Sequence, residues 1–197
     1  MEQLRLRFAQ PADAAALLAV YRPYVEGTAV TFEYDVPSAA QFARRIERTL
    51  ARYPYLAAER GGEIVGYAYA GPFHPRAAYA WAAEVSVYVA PHCRRAGAGR
   101  RLYTALEALL CELHILSANA CIAFAPQPDE YLSNDSEAFH RAMGYRRAAH
   151  FHACGCKFGR WYDMIWMEKM LGEHTPRPAP VTAFADVRDA LAEKYGY

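Results

Sequence analysis

One stretch of the sequence combines β-prone, basic and glycine residues in an order suited to binding phosphate. The β-prone run Glu84–Val89 is followed by the turn Arg94-x-x-Gly97-x-Gly99 and then by a segment with an apolar stripe. Glycine leaves backbone N–H groups unobstructed, and a helix N-terminus offers unpaired N–H donors with a partial positive charge. The turn and the helix after it therefore predict a pyrophosphate-binding loop.

Two better-known phosphate loops do not fit this stretch. A P-loop needs Gly-Lys-Ser/Thr, which is absent. A dinucleotide site needs different glycine spacing inside a parallel βαβ unit, whereas the hairpins expected here indicate a mixed sheet. A solvated arginine-rich turn remains the alternative. The predicted loop residues are Arg94, Arg95, Ala96, Gly97, Ala98, Gly99 and Arg100.

The elements that must position this loop follow from hydrophobic periodicity. We expect strands over residues 4–8, 55–60, 63–70, 82–90, 120–125, 145–154 and 162–170. We expect helices over residues 12–21, from 38 until Pro54 ends the element, 97–114, and from 134 to 143. Residues 22–37 are expected to be a long connection that contains the β-prone run 29–34.

Capping and turn residues delimit these elements. Ser38 and Gln41 fit a capping box, and Asn134 with Glu137 is expected to cap the fourth helix. The pair Gly61-Gly62 supplies a hairpin turn. Together the elements predict an α/β domain over residues 1–171.

The tail differs in character from this domain. Three prolines between residues 174 and 180 predict an extended linker. Beyond them, Phe184, Val187, Leu191 and Tyr195 fall on one helical face. Residues 172–197 are too few to build a core, so a short helix docked on the domain is expected.

Composition excludes several classes of protein. The 197 residues are 54% hydrophobic and 22% charged with a net charge of +1, an ordinary globular balance that favours neither nucleic acid nor an anionic membrane. No apolar run approaches the roughly 18 residues of a membrane span. Residues 1–5 lack a signal-peptide apolar stretch. Five scattered cysteines argue against a disulfide framework, so a cytoplasmic location is expected.

Further segments place the loop in a recognisable context. The matching segments are Tyr24–Phe32, Gly71–Trp81, Glu84 with Val87–Val89, Phe139–Tyr145 and Gly155–Asp163. With the loop, they resemble the GNAT superfamily of N-acetyltransferases, in particular its phosphinothricin/methionine sulfone branch, over roughly residues 4–171. The resemblance implies a mixed, mostly antiparallel central sheet, flanked by helices and splayed at the acetyl-CoA-binding strand.

The resemblance also implies an activity. It is the transfer of an acetyl group from acetyl-CoA to the amine of a small amino-acid-like acceptor, by direct attack in a ternary complex without a metal. A homodimer is implied as well, with Lys157, Trp161 and Asp163 near its interface. Two alternatives stay open: another amine, such as a polyamine, an antibiotic or a protein N-terminus, and a non-catalytic CoA-binding module.

Site roles follow from the matching positions. Glu84 is expected to be the general base, and His140 stands where a tyrosine often protonates the leaving thiolate in the wider superfamily. The expected cofactor contacts outside the loop are Val87, Tyr88 and Val89, through their backbone, and Ser133, Asn134 and Ser136. Phe32, Arg76 and Tyr88 are the expected acceptor contacts, with Arg76 pairing with a carboxylate.

Two positions depart from the branch pattern. Ser133 stands where the branch usually has asparagine, and Ala82 stands where it often has threonine. Metal binding by Cys154-x-Cys156 is not expected, because no second ligand pair exists and strand alternation explains the spacing.

Overall fold

The computed structural model describes residues 3–197; Met1 and Glu2, which belong to the segment examined for a signal peptide, lie outside the described residues. The strands are β1 (Arg5–Phe8), β2 (Tyr55–Arg60), β3 (Glu63–Pro72), β4 (Ala82–Val89), β5 (Ser117–Phe124), β6 (Arg146–Lys157) and β7 (Arg160–Met170). The α-helices are α1 (Ala14–Gly27), α2 (Ala39–Leu50), α3 (Ala98–Glu112), α4 (Asp135–Ala142) and α5 (Phe184–Tyr195).

The strands form one seven-stranded sheet that opens in its middle. The strand order is β1-β2-β3-β4-β5-β7-β6, and every neighbouring pair is antiparallel except β4 with β5. The parallel pairing of β4 and β5 covers only residues 82–84 of β4 and ends where Glu84 faces Asn119. Beyond that point the two strands diverge. The mixed, mostly antiparallel and splayed sheet predicted from the sequence is confirmed.

Helices cover both faces of the β2–β4 half of the sheet. On one face α1 and α2 pack on a tyrosine-rich surface, where Tyr21 of α1 and Phe42 of α2 contact the rings of Tyr88 and Tyr67. On the other face α3 buries Leu102 close to Gly66 of β3. One large apolar core holds these elements together. Both faces of β4 are therefore framed by helices, and its free edge faces the gap.

The segment after the first helix differs from the prediction. Helix α1 continues through Pro23 to Gly27, although proline removes one backbone donor. Buried Tyr24 and Val25 lie in this extension, and their packing outweighs the missing hydrogen bond. Residues 29–34 do not form a strand, because the buried Lys157 ammonium binds the carbonyls of Val25, Thr28 and Thr31 at 2.8–2.9 Å and holds the segment as a loop.

The predicted caps had different outcomes. The Ser38 capping box is confirmed, since the Ser38 hydroxyl accepts from the Gln41 N–H and the Gln41 side chain accepts from the Ser38 N–H. The cap predicted at Asn134 is wrong. Asn134 has a left-handed backbone with φ 60°, and its side-chain amide instead pairs with the N–H and C=O of Ala125 at 2.9 and 2.7 Å. Glu137 pairs with arginines rather than with the start of α4.

The C-terminal segment contains the expected helix. Phe184 and Leu191 of α5 are buried in the main core, and the Phe184 ring meets the Phe8 ring edge-on at 4.9 Å. The division of the chain at residue 171 stays a prediction. Within residues 3–197, no helix combines the length and the apolar character needed to cross a bilayer.

Candidate active site

A cavity of about 460 Å³ opens at the wide end of the gap between β4 and the start of α4. Most of the predicted cofactor residues line it: Val87, Val89, Arg94, Arg95, Gly97, Ala98, Gly99, Arg100, Ser133, Asn134 and Ser136. Two other predicted contacts, Tyr88 and Ala96, are absent from the lining residues in the described part of the chain. Residues separated by some 35 positions in sequence thus meet at one cleft.

The N-terminus of α3 forms one wall of this cavity. Gly97 precedes the helix with φ 83°, a conformation that favours glycine, and the N–H of Arg101 bonds to the Gly97 carbonyl at 3.1 Å. The N–H groups before Arg101 therefore have no partner inside the helix. Gly99 supplies space, because a Cβ there would lie 3.4 Å from the Phe139 ring and 3.7 Å from Val89. The wall is suited to an anion such as a pyrophosphate.

The free edge of β4 offers fewer backbone groups than the sequence suggested. Ala90 donates its N–H to the Val65 carbonyl on β3, so by strand alternation the even-numbered backbone groups face β3 and the odd-numbered ones face the gap. The predicted Tyr88 backbone contact therefore does not fit. On the side of Val89 that faces the gap, the Val89 carbonyl already accepts a hydrogen bond from the Tyr24 hydroxyl at 2.6 Å. Val87 remains as the residue whose N–H and C=O point into the gap.

Tyr24 is a site residue that sequence reasoning did not single out. Its hydroxyl also accepts a hydrogen bond from Arg94 Nε at 3.3 Å, and the Arg94 guanidinium lies 5.0 Å from its ring centroid. Tyr24 therefore joins α1, the end of β4 and the arginine turn. The sequence signal that could have identified Tyr24 is its position in Tyr24–Phe32, one of the segments that carry the family resemblance.

His140 lies at the closed end of the gap and is buried. Its Nδ1 lies 2.7 Å from the Ser136 carbonyl, which can only accept, so Nδ1 carries the proton. Nε2 then accepts from the Tyr103 hydroxyl at 2.8 Å. Burial lowers the pKa of His140 to about 4, which keeps the imidazole neutral at pH 7. The predicted role as proton donor therefore does not fit: neither nitrogen has a proton free to give.

Glu84 lies at the fork where β4 and β5 part. It faces Gly71 on β3 and Asn119 on β5. Burial raises the pKa of its half-buried carboxyl, and no other cause contributes. A carboxylate with a raised pKa and no cation beside it is a better proton acceptor than a salt-bridged one, which is what a general base requires.

A second and larger cavity, of about 710 Å³, lies over the tyrosine face of β2, β3 and β4. Tyr88 and Arg76, two of the three residues predicted as acceptor contacts, line it. Phe32 does not. Its ring packs against Gly155 of β6, where any Cβ would overlap the ring, and it belongs to a small separate apolar cluster. The side chain of Phe32 is a packing element of the loop after α1.

The β6–β7 edge carries the residues that the resemblance placed at a dimer interface. Lys157 is buried by this chain's own loop, whereas Trp161 is 67% exposed. Asp163 accepts from the Ala153 N–H and from His150, and His152 lies 3.4 Å away. His150, His152 and Asp163 are a group of metal-ligand type, which the sequence analysis did not identify.

The geometry defines a class of enzyme. A parted sheet with a helix N-terminus at its mouth can hold an extended ligand that carries a pyrophosphate, and a carboxylate at the fork can deprotonate a nucleophile entering from the tyrosine face. Residues 6–166 match the family model described as an acetyltransferase (GNAT) domain. The chain belongs to this family and is an acetyl-CoA-dependent N-acetyltransferase.

Curated relatives and solved structures agree with this assignment. The chain is 34% identical to the phosphinothricin N-acetyltransferase of Streptomyces viridochromogenes, over 91% of this chain and 95% of that protein. It is 32% identical to the L-methionine sulfoximine/L-methionine sulfone acetyltransferase of Salmonella typhimurium, over 87% and 96%. The GNAT superfamily phosphinothricin acetyltransferase from Sinorhizobium meliloti, solved in complex with acetyl-CoA, superposes with a TM-score of 0.81 at 32% identity, covering 92% of this chain and 98% of that one.

Proposed function

We propose that the enzyme acetylates the amine of a small amino-acid-like acceptor, of the phosphinothricin or methionine sulfone type. One observation carries the proposal: Glu84 stands at the fork, on the same strand face as the tyrosines that floor the larger cavity. That cavity also contains Arg76, which suits a carboxylate beside the amine. The phosphinothricin and methionine sulfoximine/sulfone acetyltransferases among the relatives of this chain, which are named for such acceptors, support the same class.

In this proposal acetyl-CoA occupies the 460 Å³ cleft. Its pyrophosphate meets the unpaired N–H groups at the start of α3, with Arg94, Arg95 and Arg100 nearby. Its pantetheine arm follows the free edge of β4. The thioester carbonyl accepts a hydrogen bond from the Val87 N–H. This hydrogen bond polarises the carbonyl and stabilises the oxyanion that forms during attack. Asn134 contributes by tying the start of α4 to Ala125.

The chemistry needs no metal. The acceptor ammonium gives a proton to Glu84, and the neutral amine attacks the thioester carbon. The C–N bond forms while the carbonyl oxygen takes negative charge, and the C–S bond then breaks as the carbonyl returns. The second proton of the amine nitrogen reaches the departing sulfur through solvent. His140 positions Tyr103 and the floor of the cleft in this scheme and does not transfer a proton.

The proposal includes a cytoplasmic homodimer. All five cysteines are unpaired, which suits a reducing compartment. Strand β6 is a sheet edge with mostly exposed residues, and both Phe151 on it and Trp161 on the adjacent β7 are exposed, at 48% and 67%. Exposed apolar side chains on an edge strand support pairing with a second copy. The mass of the purified protein in solution, measured by light scattering, tests this part directly.

The function is tested by measuring CoA release from acetyl-CoA across a panel of amines. The panel contains phosphinothricin, methionine sulfone, common amino acids, spermidine and a peptide with a free N-terminus, with an amine-free sample as control. We expect turnover on the first two acceptors well above the control. Turnover on spermidine alone would replace the acceptor class, and acetyl-CoA binding without turnover on any amine would favour a non-catalytic module.

A further inference from the structure

The larger cavity exceeds the needs of a free amino acid. Its volume of about 710 Å³ lies in the range that binds drug-sized ligands. Its floor crosses three strands, from Tyr88 on β4 over Tyr67 and Tyr69 on β3 to Tyr55 on β2. Since neighbouring strands are ~4.8 Å apart, the floor extends about 10 Å from β4. An acceptor whose amine lies near Glu84 therefore has room for a long arm.

The charged side chains that line this cavity are of one sign. Four arginines line it, and no aspartate or glutamate is among its lining residues in the described part of the chain. Arg45 is neutralised by Glu33 at 2.7 Å. Among the described residues, no ion pair involves Arg48, Arg52 or Arg76. Arg48 Nε donates to the Arg44 carbonyl at 3.3 Å, which leaves its two Nη groups and the exposed guanidinium groups of Arg52 and Arg76 for a ligand.

These three arginines come from two separate parts of the fold. Arg76 lies in the loop between β3 and β4, five residues after Gly71, which faces Glu84 across the strand pair. Arg48 is in the last turn of α2, and Arg52 follows that helix just before Tyr53 and β2. Arg76 is therefore placed for the oxygen next to the reacting amine, which is a carboxylate oxygen in a free amino acid and the first peptide carbonyl in a longer acceptor. The two α2-side arginines are placed for a second anionic group, at the β2 end.

We infer that the preferred acceptor is longer than a free amino acid: a peptide-length molecule with a free amine at one end and an anionic group about three residues away. An extended chain covers roughly 3.3–3.6 Å per residue, so three residues span the cavity floor. The distal anion binds Arg48 and Arg52, while the amine-bearing residue lies near Glu84 and Arg76. This inference rests on the proposed function, because it extends the same acceptor site.

The experiment compares acceptors that differ in length and in one charge. The probes are methionine sulfone, the tripeptide methionine sulfone-Ala-Ala with a free C-terminal carboxylate, and the same tripeptide with a C-terminal amide. The enzymes are the full wild-type chain, Arg48→Gln, Arg52→Gln and the control Arg44→Gln, which changes an exposed α2 arginine outside the cavity lining. CoA release gives kcat/KM for each pair, and calorimetry in the presence of CoA gives the Kd of each probe.

We expect the acid tripeptide to exceed the amide by tenfold or more in kcat/KM, the effect of one charge-assisted hydrogen bond. Arg48→Gln and Arg52→Gln should each reduce that ratio and leave methionine sulfone unchanged, and Arg44→Gln should alter nothing. Equal values for acid and amide, a ratio that survives both substitutions, or acetylation of methionine sulfone without either tripeptide would overturn the inference. In each of these cases, turnover on free methionine sulfone would still support the proposed function. Failure of every acceptor, with no calorimetric preference for the acid tripeptide, would reject both.

Discussion

The cofactor side and the acceptor side of β4 are built in different ways. The phosphate-binding wall of the cofactor cleft uses backbone groups: the N-terminus of α3, the Val87 edge and the turn that leads into the helix, all within residues 87–100, while residues 132–136 line the opposite side. The acceptor cavity uses side chains from α1, α2, three strands and the β3–β4 loop. Glu84 lies between them at the end of the β4–β5 pairing.

This difference has a functional consequence. Every ligand of the cofactor side carries the same pyrophosphate, so a contiguous stretch of backbone is sufficient to bind it. Acceptors differ in shape and charge, and side chains on separate elements can be exchanged without disturbing that backbone. The two sides should therefore respond to mutation separately, and only Glu84 should affect the reaction without affecting either binding step.

The largest expected effect is that of Glu84→Gln. Loss of the base should reduce kcat/KM about 10²- to 10⁴-fold, with the Kd of acetyl-CoA unchanged, because the amide keeps the shape but cannot accept the proton. Stopped assays of CoA release with parallel calorimetry measure both quantities. Wild-type activity should also fall as pH falls through the raised pKa of Glu84, since the protonated carboxyl is inactive. Turnover of the variant within threefold of wild type would mean that Glu84 is not the general base.

On the cofactor side, Gly99→Val should weaken acetyl-CoA binding roughly tenfold to a hundredfold. The added methyl groups would press on Phe139 and Val89 and intrude on the cleft. Gly27→Val is the matched control, because a Cβ at Gly27 meets nothing within 4 Å. Calorimetric titration with acetyl-CoA decides the outcome. An unchanged Kd would mean that the helix start does not hold the cofactor.

On the acceptor side, Arg76→Gln should raise the acceptor KM about tenfold or more and leave the acetyl-CoA affinity unchanged. The reason is the loss of a charged hydrogen bond to the acceptor carboxylate. Initial rates with methionine sulfone at saturating acetyl-CoA measure this effect. Arg76→Lys should recover part of it, because lysine keeps the charge but not the two-pronged geometry. A KM that is the same in both variants as in wild type would mean that the acceptor carboxylate binds elsewhere.

A smaller effect on activity is expected for His140→Phe. The Tyr103 hydroxyl and the Ser136 carbonyl would lose their partner, which should lower the free energy of unfolding by about 1–3 kcal/mol. Because neutral His140 gives no proton, kcat of the folded fraction should change only a few-fold. Urea unfolding and initial rates separate the two readouts. A hundredfold drop in kcat in a well-folded variant would restore the role of catalytic acid.

The smallest effect concerns Asp163, which belongs to neither side. The hydrogen bond from the Ala153 N–H, with those from His150 and His152, lowers the pKa of Asp163 below its ordinary 3.8. Its stabilising contribution is therefore present above pH 4 and is lost as pH falls through the lowered pKa. Asp163→Asn should unfold with less dependence on pH between about 5 and 2 than wild type. Parallel pH dependence in both proteins would show that Ala153 and the two histidines do not hold this carboxylate.

The contrast between the sides also explains what the sequence could predict. The turn, its helix and the Glu84 strand are contiguous, so their spacing alone indicates a phosphate loop. The splayed sheet came from the resemblance. The Tyr24 bond to Val89, 65 positions apart, depends on how α1 packs and leaves no local pattern. The same is true of Arg48 and Arg52, which look like ordinary surface residues in and just after an amphipathic helix until the fold places them around the same cavity as Arg76.

Predictions from local sequence were wrong where groups from distant parts of the chain form the decisive hydrogen bonds. Asn134 and Glu137 have the types of a helix cap, but Ala125 and two arginines compete for their side chains. The β-prone run 29–34 stays a loop because a buried lysine, more than 120 positions away, binds three carbonyls around it. In both cases a hydrogen-bonding group from another element outweighs the intrinsic preference of the segment.

A crystal structure of the full chain with CoA and methionine sulfone bound tests the role of Glu84 between the two sides most directly. We expect the CoA pyrophosphate at the N–H groups of Ala98–Arg100 and the sulfur beside Val87. We expect the acceptor amine about 3 Å from the Glu84 carboxylate and the acceptor carboxylate on Arg76. An acceptor bound away from the tyrosine face, or an amine that Glu84 cannot reach directly or through one water, would contradict this role.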